Sequence, residues 1–164
     1  MSDAYSALGL IVIAINLVAG TAGLAAWAGR RPSIPFWYLL RAAQVVTMLF
    51  VLFACVTYLA GHRADDALHY LYVFLPVVAS FLAELMRGGA AGQELGERLD
   101  PEPVAGAEPL AAPELASRFA ELEPDEQQEI GLAIVRRETG IMTVACLVIA
   151  FLIWRAMATT AGMF

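Results

Sequence analysis

Three features of the chain imply an all-α integral membrane protein: an antiparallel four-helix bundle with a long acidic cytoplasmic loop containing a short amphipathic helix. First, 60% of the 164 residues are apolar and only 16% are charged, with a mean hydropathy of +0.67. An ordinary soluble domain is about 45–50% apolar and about 25% charged, so a soluble fold of this length has too little interior to hide the excess. Second, the apolar residues fall into four runs, each near the ~20 residues that a spanning helix needs. Third, the acidity is concentrated. Eleven carboxylates and two arginines lie between Gly88 and Glu129, giving that stretch a charge of −9 and the remainder +3. These features exclude a disulfide scaffold, a disordered chain and an ordinary soluble enzyme domain. The acidic balance argues against a nucleic-acid partner, which needs a basic face.

The first span is expected over residues 5–28, because no charge falls between Ala4 and Gly29. Its acidic start, with Asp3, and its long apolar run read as a retained helix rather than a cleaved signal. Gly29, Arg30, Arg31, Pro32 and Ser33 break the chain before a second span over 34–59. A short turn from Gly61 to Asp66 leads to a third span over 67–87, with Asp65 or Asp66 as its cap and Gly88-Gly89 as its stop. The fourth span is expected over 138–159.

The domain division is thus spans one to three over 1–87, the acidic loop over 88–129, and span four with its lead-in over 130–164. The first half of the loop, rich in proline, is expected to be irregular. In the second half, Leu115, Phe119 and Leu122 recur at helical spacing among Glu114, Arg118 and Glu121, which predicts an amphipathic helix near 114–122. Pro124 suits the first turn of a helix running into span four, with Asp125 and Glu126 favouring its positive end.

Arginine in short connections is retained on the cytoplasmic side. Arg30, Arg31 and Arg41 mark the first connection as inside, and Arg87, Arg98, Arg118, Arg136 and Arg137 mark the third. Both termini are therefore expected outside a bacterial plasma membrane, with loop 88–129 in the cytoplasm.

Polar residues within apolar spans are costly, so their placement carries the functional information. At about 100° per residue, Tyr5, Gly9, Asn16, Gly20, Gly23 and Trp27 share one face of span one. Arg41, Gln44, Met48, Cys55 and Tyr58 share a face of span two, and His69, Tyr72, Pro76, Ser80, Glu84 and Arg87 one of span three. Arg41 on the way up and Glu84 on the way down lie at matching depth, which predicts an ion pair within a polar group of Arg41, Gln44, Glu84 and Arg87. Asn16, Tyr58, His69, Tyr72 and Ser80 form a second candidate group, a ligand cluster beside a kink at Pro76.

His62 and His69 flank one turn rather than facing each other across a bundle, which disfavours haem, and further zinc ligands at useful spacing are lacking. No metal site and no cofactor is predicted, with haem or quinone the alternatives. Cys55 and Cys146 read as small buried apolar residues. No GxSxG, HExxH, P-loop or CxxC pattern occurs, so no catalytic residues are assigned.

The stretch Phe36-Trp37-Tyr38-Leu39-Leu40-Arg41-Ala42-Ala43-Gln44-Val45, with His69-Tyr70-Leu71-Tyr72 and Ala83-Glu84-Leu85-Met86-Arg87, resembles small four-span membrane proteins of actinobacteria. Pro124-Asp125-Glu126-Gln127-Gln128 and Ile134-Val135-Arg136-Arg137-Glu138 fit the same pattern. The resemblance covers most of the chain and implies the four-span fold without implying an activity. The functional expectation is a non-catalytic accessory or interaction subunit. Its partners are the lipid bilayer and another membrane or cytoplasmic protein engaged through the acidic loop, with a homo-oligomer as a further expectation. The alternatives are a bundle that binds a quinone, haem or lipid, and a small oligomeric transporter using Arg41 and Glu84.

Overall fold

The computed structural model describes residues 2–100 and 110–160, and every regular element among them is helical. Helix α1 is Ser2–Ala28, α2 Ile34–Leu59, α3 Leu68–Leu99, α4 Ala112–Ala120 and α5 Pro124–Ala158. All but α4 are long and apolar enough to cross a membrane.

Local chemistry sets the helix ends. At the end of α1, the Arg30 N–H donates to the carbonyl of Trp27 and the Arg31 N–H to that of Ala26. This is a Schellman closure, and it places Arg30 in the left-handed region at φ +52°. Glycine normally takes that position, and an arginine there costs about 1 kcal/mol. The Ser33 hydroxyl accepts from the Phe36 N–H at 3.4 Å and starts α2, with Pro35 in the first turn. Asp66 starts α3, its carboxylate accepting from the Leu68 N–H at 2.9 Å. At α5, Glu123 and Glu126 form a reciprocal capping box around Pro124.

Two boundaries differ from the expectation. Helix α3 does not stop at Gly88 and Gly89 but continues to Leu99. A Cβ at Gly88, Gly89, Gly92 or Gly96 would meet nothing within 4 Å, so packing does not demand these glycines. Each lowers helix propensity by about 1 kcal/mol relative to alanine. Long-range support outweighs that loss: Ala90 is fully buried, and Glu94, Glu97 and Arg98 all form ion pairs with α5. The amphipathic helix lies slightly earlier than expected, with Leu115 buried and Leu122 beyond its end. Pro101, Pro103 and Pro109, which prompted the expectation of an irregular segment, lie outside the described residues.

Helix α5 packs along both α1 and α3, while α2 rests mainly on α1 and touches α3 at fewer points. Close approaches fix the register of α1 on α5. Gly9 lies under Met157, Gly20 under Leu147 and Cys146, Gly23 under Thr143, and Gly140 under Trp27. The core has two parts. Tyr5, Val12, Phe50, Val73, Ile149 and Ile153 fill one end, and Ala19, Phe36, Leu40, Met142 and Cys146 the other. The outward sides of the long helices remain strongly apolar, as with Leu10, Leu49, Phe81 and Phe151. A contiguous apolar exterior of this kind suits lipid rather than water.

Candidate functional site

The first site is a charged cluster built by i, i+3 pairs on two helices. Arg41 and Gln44 come from α2, and Glu84 and Arg87 from α3. This spacing puts both members of each pair on one helix face. Glu84 Oε1 accepts from Arg41 Nη1 at 2.7 Å and from Gln44 Nε2 at 2.9 Å, and its Oε2 accepts from Arg87 Nε at 2.8 Å. Arg41 Nη1 also donates to Gln44 Oε1 at 2.6 Å. One carboxylate therefore satisfies two guanidiniums and an amide. The Glu84 side chain is 29% exposed and that of Arg41 54%. A cavity of about 400 Å³ opens beside the cluster, lined also by Thr47, Ser80 and Phe81. Helices α2 and α3 share little direct packing, so the cluster is one of the few points that hold them together.

The second group does not assemble. Asn16 is buried and turns to α2, its Nδ2 donating to Thr47 Oγ1 at 3.1 Å and to the Val12 carbonyl at 2.9 Å. Tyr58 packs edge-on against Tyr70 under the Arg63 guanidinium. Tyr72 lies under Arg155. Ser80 lines the cavity beside Glu84. The structure thus places Asn16, Tyr58, His69, Tyr72 and Ser80 in separate local contacts, with Asn16 turned to α2 and His69 to α1 and α5.

His69 illustrates the reason. It is fully buried, with Nε2 3.0 Å from the Tyr5 hydroxyl and Nδ1 3.0 Å from the Ala156 carbonyl. A carbonyl only accepts, so Nδ1 carries the proton and Nε2 accepts from Tyr5. Both ring nitrogens are engaged inside the protein, and the residue ties α3 to α1 and α5. Sequence reasoning missed this triad. Its one signal was Tyr5 on the polar face of span one. Among the described residues, no three His, Cys, Asp or Glu side chains gather closely enough to hold a metal ion.

The third feature lies beyond the apolar parts of α3 and α5. Glu94 bridges Arg98 at 3.3 Å and Arg137 at 3.0 Å, Glu97 pairs with Arg137 at 3.0 Å, and Arg98 reaches Glu129 at 2.9 Å. Helix α4 is tied to the end of α3 by Arg118 Nη1, which donates to the Leu99 carbonyl at 3.2 Å. The acids at the corner between α4 and α5 behave differently. Glu121, Glu123 and Asp125 are exposed, and none has an arginine partner among the described residues. No protein-family model, curated protein or solved structure matches the chain.

Proposed function

We propose that this chain is an antiparallel four-helix protein of a bacterial plasma membrane that acts without catalysis, as an accessory subunit. Both termini face outward, and its cytoplasmic head docks a protein partner with a basic surface. Helices of 32 and 35 residues are about 48 and 53 Å long, against a hydrocarbon core of about 30 Å. The excess of α3 and α5 projects from the membrane as a hairpin. Ion pairs through Glu94 and Arg137 stiffen it, and α4 caps it.

The observation that carries the docking role is the corner of Glu121, Glu123 and Asp125. Glu94, Glu97 and Glu129 along the stalk pair with arginines of the chain, whereas these three stand exposed with no arginine partner among the described residues. Such a corner attracts and orients a basic partner more than it adds raw affinity. The cavity beside Glu84 favours a second reading, a small-molecule site. Among the described residues Glu84 Oε2 accepts only from Arg87, which leaves it room for one further donor from such a ligand.

Photo-crosslinking from position 120, an exposed alanine beside the corner, in the full chain expressed in bacterial membranes tests the docking role. The crosslinked partner should carry its crosslinks on a Lys/Arg-rich surface. The E121K/E123K/D125K variant should lose roughly tenfold or more of the yield, with its membrane level unchanged. A yield indifferent to charge reversal and to salt contradicts the proposal.

A further inference from the structure

The chain contains ten arginines and no lysine. Five arginines pair with carboxylates: Arg41 and Arg87 with Glu84, Arg98 with Glu94 and Glu129, Arg118 with Glu114, and Arg137 with Glu94 and Glu97. Arg63 and Arg155 lie over tyrosine rings. The three that remain, Arg30, Arg31 and Arg136, have no anionic or aromatic partner among the described residues, and all three line one crevice. The crevice lies where α1 ends against α5, and its apolar walls include Trp27, Leu132 and Val135. The crevice is small, about 10 Å³, and the three arginines are exposed, so an occupant rests on their rim.

A second observation points the same way. Arg30 is the one non-glycine residue at positive φ among the described residues. It stands where a helix closure of this type favours glycine. Backbone strain at such a position directs a functional reading to the side chain that occupies it.

We infer that Arg30, Arg31 and Arg136 form a site for a phosphate group, supplied by the headgroup of an anionic phospholipid in the leaflet at which α1 ends. Guanidinium forks match phosphate oxygens with paired hydrogen bonds. Basic pockets between spanning helices, flanked by an interfacial tryptophan, suit such headgroups. The apolar walls face the glycerol and first acyl carbons, which a free phosphate would leave uncovered. The site requires a membrane around the four long helices and no protein partner at the acidic corner.

Thermal unfolding of the full chain in detergent, followed by tryptophan fluorescence, tests the site. Phosphatidylglycerol should raise the midpoint by roughly 5 °C, whereas phosphatidylcholine and inorganic phosphate should not. R31Q/R136Q should lose most of that rise, and Arg63→Gln, at the opposite end, should keep it. Arg30→Gly separates binding from folding. It should match or exceed the lipid-free midpoint of the natural chain, because glycine relieves the left-handed strain, and yet lose much of the phosphatidylglycerol effect. An equal rise with phosphatidylcholine, or a full rise retained in Arg30→Gly, overturns the site. A rise produced by inorganic phosphate alone overturns its assignment to lipid.

Discussion

Glu84→Ala should remove most of the folded protein from membranes, and the E84A/R41A double variant should recover a large part of it. In the natural chain the Glu84 carboxylate takes hydrogen bonds from Arg41, Gln44 and Arg87. Without it, two guanidiniums on facing helices confront each other in a setting that hydrates them poorly. Removing one partner of a buried pair costs about 3–5 kcal/mol, and partial exposure brings this nearer 2–3 kcal/mol. Deleting Arg41 as well removes the repulsion and one stranded cation, while Arg87 keeps its stacking over Trp37. The loss in the double variant should therefore be smaller than in Glu84→Ala alone. Folded yield can be read by size-exclusion chromatography of a fluorescent fusion. Additive losses would show that the cluster is not a coupled unit.

Gly23→Leu should be equally damaging for a different reason. A Cβ at Gly23 would fall on Thr143 Oγ1 and 2.5 Å from Phe36 Cε2. The Phe36 ring is fully buried and cannot retreat, and Thr143 Oγ1 already lacks a hydrogen-bond partner. Gly9 makes the useful contrast, because its added Cβ meets only the flexible end of Met157. Overpacking at a pinned site costs about 1–3 kcal/mol for small additions and more for a whole leucine side chain. Gly9→Ala should remain near the natural stability, since alanine also gains helix propensity. Thermal midpoints of the two variants in one detergent provide the comparison. Equal midpoints would contradict the register of α1 against α5.

Much of this was legible in the sequence because it is local. The four spans follow from uncharged runs broken by Gly29–Ser33 and by Gly61–Asp66. The start of α5 follows from Pro124 and its following acids. The Arg41–Glu84 contact is long-range, yet it was accessible because two lone charges in apolar spans at one depth have few other partners. The extension of α3 was not legible. Gly88 and Gly89 signalled a stop, and the support that overrides them comes from Arg137 on a helix forty residues later. Nor was the Tyr5–His69–Ala156 tie legible. A helical wheel gives the face of each residue but not which of three neighbours that face meets. The same limit applies to Asn16, Tyr58, Tyr72 and Ser80, whose individual neighbours a wheel does not give.

The proposed docking role needs the acidic corner on the cytoplasmic side of a four-span protein. Labelling of single cysteines with a membrane-impermeant maleimide in intact spheroplasts tests it most directly, in a C55A/C146A background. The two sites are Asp65→Cys, in the α2–α3 turn, and Glu121→Cys, both at exposed positions. Asp65→Cys should label in intact spheroplasts, while Glu121→Cys should label only after the membrane is opened. Labelling of Glu121→Cys from outside, with Asp65→Cys protected, would contradict it.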